Sequence, residues 1–183
     1  ILAGDETTGV CLMAVEPELD TGGIYASVAM PIGPEESADE LHFRLGQAGT
    51  ELLVARLRSG AASLGRPVPQ RGEPTYAEKV TPGELLLDFA RPAPLLTRLV
   101  RAGRAWTTFR GGRLLVHRAT VEDTPVEAEP GTILGGRVAT GAGWLRPTEV
   151  QAAGREHQSF DEWLRGARPR DDERLGADAP ALD

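Results

Sequence analysis

The chain has 183 residues, of which 40% are apolar, and its 27 acidic and 20 basic residues give a formal net charge of −7. This apolar fraction is sufficient for a core of ordinary size in one domain or two small ones. The acidic balance excludes a wholly basic nucleic-acid module, and no apolar run reaches the ~20 residues of a membrane-spanning helix. We therefore expect a globular cytoplasmic protein without a membrane partner.

Neither a disulfide nor a metal site is expected. Cys11 is the only cysteine, and a thiol in an apolar run packs as a small core side chain. The three histidines, His42, His117 and His157, lack the spacing of zinc ligands.

Two apolar runs near the start, at residues 9–15 and 24–30, predict strands, and the first is apolar on both faces, as in a covered sheet. Residues 16–23 between them, rich in Gly, Asp and Thr, predict a short turn that can hold a polar side chain over a pocket. Asp20 is the candidate functional residue there. Two interpretations are open for it, a functional carboxylate or a turn cap bonded to its own backbone.

A long amphipathic helix follows, because Ser37 and Glu40 have capping-box spacing and apolar residues recur at three- and four-residue steps. It is expected to pack on the sheet and to end near Ser59. Residues 61–83 then shift to Gly, Pro, Ser and Gln, which predicts a linker. Lys79 in this linker could reach a phosphate or dock on an interdomain surface.

Residues 84–166 carry mainly β signals. A short strand at 85–89 and a helix at 92–104 precede a hairpin whose strands, 106–110 and 113–118, flank a Gly-Gly turn. Further strands are predicted at 131–134, 137–140 and 143–150, and a capping box at Ser159 and Glu162 opens a short helix. Several short strands after one helix indicate a small barrel or sandwich. The polar residues 167–183 predict a flexible tail.

A run of six arginines is free of acidic residues and could bind phosphate, although a solvated face also explains such a cluster. Its members are Arg98, Arg101, Arg104, Arg110, Arg113 and Arg118. Trp106 and Phe109 lie within it, and two roles are open for them: stacking on bases, or packing in the hairpin core.

Six short strings occur in the order in which a known family carries them. They are AGDETTGV at 3–10, ELDTG at 18–22, TYAEK at 75–79, PGTI at 130–133, VATG at 138–141 and QAAGR at 151–155. In these strings, and over residues 1–166, the chain resembles the bacterial methionyl-tRNA formyltransferases. One string alone is weak evidence, whereas their joint order is specific.

The resemblance implies transfer of a formyl group from 10-formyltetrahydrofolate to the methionyl amino group of initiator tRNA. It implies an α/β remnant of a Rossmann-like formyltransferase domain at residues 1–60 and, after the linker, a small OB-like β-barrel at 84–166. The folate donor and the initiator tRNA are the expected partners, and the folate-binding residues are not identified.

Asp20 matches the family's catalytic aspartate. Attack of an amine on a formyl carbon requires proton removal and a charge partner for an imidazole, and a fixed carboxylate serves both needs. We assign substrate binding to Thr21 and Gly22 beside it, and to a second set of residues that can contact tRNA. That set is Arg101, Arg104 and Arg110.

The family's catalytic Asn and His lie in an Asn-x-His-x-Ser-Leu-Leu-Pro segment, which would precede Ile1. We therefore expect the chain to be the C-terminal portion of such an enzyme, inactive alone and monomeric when complete. As a free polypeptide the remnant is expected to expose apolar surface. Residues 101–106 replace a longer, proline-containing loop of the family.

Two alternatives are open. A sugar-nucleotide N-formyltransferase would share the Asp-containing turn and a similar C-terminal domain. From a different class, the chain could be a non-catalytic RNA-binding fragment that acts through its arginine run.

Overall fold

The structure is a computed structural model that describes residues 1–58 and 60–179. Ser59, near the predicted end of the long helix, and residues 180–183 of the predicted tail lie outside this description. None of the helices described is long and apolar enough to cross a membrane.

The chain forms two compact units. The N-terminal unit comprises Asp5–Glu78. The C-terminal unit comprises Ile1–Gly4 together with the described part of Lys79–Asp183.

The N-terminal unit contains an antiparallel pair of strands, β1 (Thr7–Met13) and β2 (Ile24–Pro31). Their register places Thr7 opposite Pro31, and it becomes irregular after Leu12. Both predicted strands are confirmed.

The burial predicted for the first strand is wrong. Its apolar residues on both faces predict a covered sheet, whereas each residue of β1 in this chain is exposed or half-buried. One helix packs against β1 and β2, and a single helix leaves much of a two-stranded sheet accessible to water.

That helix, α1 (Ala38–Leu57), begins at the predicted capping box. The Ser37 hydroxyl accepts from the Glu40 N–H at 3.3 Å, and the Glu40 carboxylate accepts from the Ser37 N–H at 2.9 Å. These two bonds satisfy donors that a helix end otherwise leaves unpaired. Leu41 is buried and Phe43 is 66% exposed, so the apolar stripe is only partly covered.

Residues 61–78, most of the predicted interdomain linker at 61–83, lie within the compact N-terminal unit. A 3-10 helix, Ala61–Leu64, follows α1. Val68 then pairs with Ile24 through two backbone hydrogen bonds of 2.8 and 2.9 Å. Pairing of this kind depends on partners distant in sequence, which composition does not reveal.

The C-terminal unit is a six-stranded sheet with two helices. Its elements are α2 (Ala93–Ala102), β3 (Trp106–Phe109), β4 (Gly112–Glu122), β5 (Ile133–Leu134), β6 (Arg137–Ala139), β7 (Trp144–Ala152), β8 (Gln158–Ser159) and α3 (Phe160–Ala167). The strand order is β3-β4-β7-β6-β5, with β8 paired to β7, and every pair is antiparallel. The two predicted helices and the strands from β3 to β7 are confirmed.

The predicted strand at 85–89 is reduced to one bridge, in which Leu86 pairs in parallel with Trp106. The hairpin turn also differs by one residue from its prediction. Phe109 pairs with Gly112, so the turn residues are Arg110 and Gly111, with φ of 49° and 71°. A two-residue turn with positive φ at both positions matches the right-handed twist of the strands.

A closed barrel is not found within the described part of the C-terminal unit. β3 and β5 end the strand order and do not pair with each other there. The register of β4 with β7 shifts on either side of Arg118, and irregularities of this kind curve a strand. The sheet and helices enclose a core that includes Leu87, Leu96, Val116, Leu145 and Phe160.

Residues 167–179, part of the segment predicted as a flexible tail, make defined contacts with the rest of the C-terminal unit. Leu175 is 3% exposed, its N–H donates to the Gly131 carbonyl at 2.9 Å, and the Gly176 N–H donates to the Thr108 carbonyl at 2.8 Å. One buried apolar side chain and two backbone bonds thus fix a segment whose average composition is polar.

Candidate active site

Asp20, Thr21 and Gly22 lie in the loop between β1 and β2, which is longer than the short turn predicted. The loop closes at its base, where the Ala14 N–H donates to the Gly23 carbonyl at 2.8 Å. Asp20 adopts the left-handed conformation, with φ of 57°. Aspartate tolerates this region better than most residues.

The Asp20 side chain is exposed. Within the described residues no hydrogen bond joins its carboxylate to its own backbone. The turn-cap interpretation therefore lacks its defining contact, and the carboxylate is available to an incoming group. Thr21 instead serves the turn locally, because its hydroxyl donates to the Glu18 carbonyl at 3.1 Å.

Gly22 is buried and is required by close packing. A Cβ atom at this position would lie 1.8 Å from the Ala14 carbonyl oxygen, well inside van der Waals contact. The glycine therefore lets the returning strand approach β1, which explains its place beside Asp20 without a substrate contact.

Gln70 completes the loop and was missed by sequence reasoning. Its side-chain Nε2 donates to the Asp20 carbonyl at 2.7 Å and to the Gly22 carbonyl at 2.8 Å. The contact joins residues about fifty positions apart, so no local sequence pattern predicts it. A polar side chain in a Pro- and Gly-rich segment was its only available signal.

Arg110 has a structural role that the sequence did not indicate. Its guanidinium makes two hydrogen bonds with the Glu173 carboxylate, at 2.6 and 2.7 Å, and also donates to the Ala167 carbonyl at 3.1 Å. Hydrogen bonding to Arg110 and to the Arg170 N–H lowers the pKa of Glu173 to about 2. These contacts give Arg110 a structural role in holding the tail, and its assignment to substrate binding stays a prediction.

Arg101 and Arg104 lie at the other end of β3 from Arg110. Arg101 is half-buried in the last turn of α2, and Arg104 is exposed with φ of 63°. A four-residue strand separates them from Arg110 by roughly 13 Å at about 3.3 Å per residue. The three predicted arginines therefore do not form one cluster.

The two hairpin aromatics differ in environment. Phe109 packs edge-on against Trp163 at 5.1 Å between ring centroids, as in the core interpretation. The Trp106 indole N–H donates to the Pro82 carbonyl at 2.7 Å, and the Arg113 guanidinium lies 4.3 Å from its ring centroid. Arg113 thus occupies one of the two faces of the Trp106 ring on which a base could stack.

A pair of stacked histidines was also missed. The rings of His117, on β4, and His157, before β8, lie 3.8 Å apart. Burial lowers the pKa of His117, and the neighbouring His157 lowers it further. Across residues 1–58 and 60–179, no three His, Cys, Asp or Glu side chains are grouped to hold a metal ion.

Known proteins match both units. The family described as formyl transferase matches residues 1–57, and the family described as formyl transferase, C-terminal domain, matches residues 79–168. The chain is 39% identical to the methionyl-tRNA formyltransferase of Thermobifida fusca, over 97% of this chain and 60% of that relative. It is 38% identical to the methionyl-tRNA formyltransferase of Symbiobacterium thermophilum, over 91% of this chain and 55% of that relative.

A solved structure shares the fold. A variant of HypX from Aquifex aeolicus matches 91% of this chain and 31% of its own, with a TM-score of 0.71 and 18% identity. The two family models, which match residues 1–57 and 79–168, show that the chain belongs to the formyl transferase family. The two relatives named above are methionyl-tRNA formyltransferases, which confirms the resemblance seen in the motifs. The chain spans 55–60% of their length.

Proposed function

We propose that this chain is the portion of a methionyl-tRNA formyltransferase that contributes the catalytic carboxylate of Asp20. The enzyme transfers a formyl group from 10-formyltetrahydrofolate to the methionyl amino group of initiator tRNA. The proposal is carried by 36–39% identity with proteins of that name over 90% or more of the chain. The exposed carboxylate in the ELDTG loop supports it.

The reaction joins the methionyl amino nitrogen to the formyl carbon and breaks the bond between that carbon and N10 of the donor. The amine loses a proton and N10 gains one, so the exchange balances. Asp20 assists removal of the amine proton and stabilises the charge of a neighbouring imidazole. In this proposal the catalytic Asn and its imidazole lie outside these 183 residues, which contain no asparagine and alone do not catalyse transfer.

The C-terminal unit has OB-like character in this proposal and contacts the tRNA. The register irregularities of β4 and the antiparallel order of the strands support that assignment. Arg101 and Arg104 contact phosphates, and Thr21 contacts the substrate beside Asp20. We place the complete enzyme in the cytoplasm as a monomer.

The acceptor is tested with the longest product of the gene that encodes this chain, given labelled 10-formyltetrahydrofolate and either methionyl-tRNA or an amino-sugar nucleotide. Formyl-methionyl-tRNA is the expected product. Product with the sugar nucleotide alone would contradict the proposal and identify a sugar N-formyltransferase. Binding of tRNA without transfer to either acceptor would identify a non-catalytic RNA-binding protein.

The phosphate role of Arg101 and Arg104 predicts a salt-dependent affinity for initiator tRNA. Replacing both by Ala removes about two phosphate contacts and reduces the slope of log affinity against log salt by about two. Filter binding measures the tRNA affinity at salt concentrations from about 50 to about 200 mM, a range over which phosphate contacts weaken strongly. The control is Arg66→Ala, at an exposed arginine of the N-terminal unit, which should leave the slope unchanged. An unchanged slope in the double variant would contradict the two phosphate contacts.

A further inference from the structure

We infer that Gln70 is a positioning residue for Asp20, a role that rests on the proposed function of Asp20 in formyl transfer. The Gln70 side-chain amide donates to the carbonyl oxygens of Asp20 and Gly22, at 2.7 and 2.8 Å. One planar group thereby holds the backbone on both sides of Thr21.

These two bonds restrict the loop where it carries the carboxylate. The two N–H donors of an amide lie in one plane at a fixed angle, so bonding both carbonyls fixes their relative positions. The backbone bond from Ala14 to Gly23 closes the base of the loop, and Gln70 holds the part that contains Asp20. A non-glycine residue with a φ of 57° keeps that conformation when its surroundings hold it there.

Backbone pairing explains how Gln70 reaches the loop. Val68 both donates to and accepts from Ile24, at 2.9 and 2.8 Å, and Ile24 directly follows the loop. Gln70 is two residues beyond Val68, so the pairing brings it alongside Asp20 and Gly22. Residues 68–70, whose composition predicted a linker, therefore help to hold the Asp20 carboxylate in position.

The chemistry of the contact requires a neutral double donor of this length. Glutamate would place carboxylate oxygens against carbonyl oxygens, and asparagine is one methylene shorter. Loss of the amide allows Asp20 to shift, and a displacement of about 1 Å in a catalytic group costs about 100-fold in rate. The loss is expected mainly in kcat, because Thr21 is the one substrate contact proposed within the loop and the contacts outside it remain.

The first test measures the loop itself in the 183-residue chain. Backbone order parameters for residues 18–23 are expected near 0.85, as in rigid backbone, and Gln70→Ala lowers them below about 0.6. The Asp20 and Gly22 carbonyl carbons shift in the same spectra. The matched control is Gln47→Ala, at an exposed position on α1; order parameters that Gln70→Ala leaves unchanged would overturn the inference, whatever the enzyme's activity.

The second test measures transfer by the longest product of the gene. Gln70→Ala is expected to reduce kcat by about 10- to 100-fold and to leave both KM values within about two-fold. In an Asp20→Ala background the same substitution has no further effect, because the two residues act as one unit. A purely structural residue would instead add its loss in both backgrounds.

The outcomes separate the two claims. A wild-type enzyme that transfers formyl to methionyl-tRNA, with unchanged kcat in Gln70→Ala, overturns the positioning role alone. A wild-type enzyme that transfers to neither acceptor overturns the proposed function and with it the role of Gln70 in positioning a catalytic carboxylate. The order parameters still decide whether Gln70 holds the loop.

Discussion

Gly22 is the position in the candidate site where neighbouring atoms leave no room for a side chain. A Cβ atom there would lie 1.8 Å from the Ala14 carbonyl oxygen, a backbone atom that cannot rotate away. We predict that Gly22→Ala destabilises the chain by about 2 kcal/mol, a typical cost of overpacking. Denaturant unfolding of the 183-residue chain measures the change.

The matched control for this prediction is Gly46→Ala. Nothing lies within 4 Å of a Cβ at Gly46, and alanine in a helix interior is favoured over glycine by up to about 1 kcal/mol. Gly46→Ala is therefore expected to be neutral or stabilising. A Gly22→Ala variant as stable as the wild type would show that the loop adapts and that Gly22 is not held by packing.

Local motifs predicted Asp20 as a candidate site residue, but they did not predict that Gln70 holds its loop. Asp20 belongs to a string of five residues whose types are informative by themselves. Gln70 acts from about fifty positions away, and its position depends on pairing between Val68 and Ile24. For Arg110 the residue type suggested a phosphate ligand, and it gave no sign of the two hydrogen bonds to Glu173.

At the scale of elements, the two hydrogen bonds between Arg110 in the β3–β4 turn and Glu173 in the tail depend on the ionised form of Glu173. Arg110 lowers the pKa of this carboxyl to about 2 from its ordinary value of 4.5. A lowered pKa in the folded state means that the carboxylate stabilises the fold fully above pH 4.5 and loses this effect as the pH falls towards 2.

We therefore predict that Glu173→Gln lowers the thermal midpoint at neutral pH. The difference from the wild type narrows between pH 4.5 and 2, where the wild-type carboxyl becomes protonated. Thermal melts across this pH range measure the difference. Asp171→Asn, two residues away and exposed, serves as control, and a difference that does not change with pH would contradict the account.

Elements with strong local signals were predictable. The capping boxes at Ser37 and Ser159 are complete, because cap bonds join residues only three positions apart. The hairpin turn was displaced by one residue, since Gly111-Gly112 is the better turn by type, whereas cross-strand pairing selects Arg110-Gly111. Register depends on contacts between strands, which composition alone does not contain.

At the scale of the molecule, α1 exposes an apolar face. Phe43, Val54 and Leu57 are 66%, 46% and 43% exposed, and separations of eleven and three residues place them on one side of a helix. An uncovered apolar face promotes association. We predict that the isolated 183-residue chain self-associates and binds hydrophobic dyes.

Replacing Phe43 and Leu57 by Lys is expected to reduce association and dye binding without lowering stability, since exposed apolar side chains contribute little to folding. Sedimentation and dye fluorescence measure the two effects. Leu41→Lys is the contrasting variant, because Leu41 is buried and its replacement should unfold the unit. A wild-type chain that is monomeric and binds no dye would contradict the prediction.

The order of elements was predictable across the molecule, whereas their long-range packing was not. The strand pair, the long helix and the later β-rich region follow from periodicity and caps. Leu175 and the backbone bonds of residues 175 and 176 fix the tail, although its average composition is polar. The open edges of the C-terminal sheet depend on which strands pair, and short strands alone do not distinguish an open sheet from a barrel.

The account depends most on Asp20 as the carboxylate of formyl transfer. Asp20→Asn keeps the size of the side chain and its backbone bonds to Gln70, but removes the charge and the proton acceptor. In the longest product of the gene, single-turnover transfer to methionyl-tRNA is predicted to slow by about 100- to 10,000-fold, with tRNA affinity and thermal midpoint unchanged. Transfer by Asp20→Asn at the wild-type rate would contradict the account.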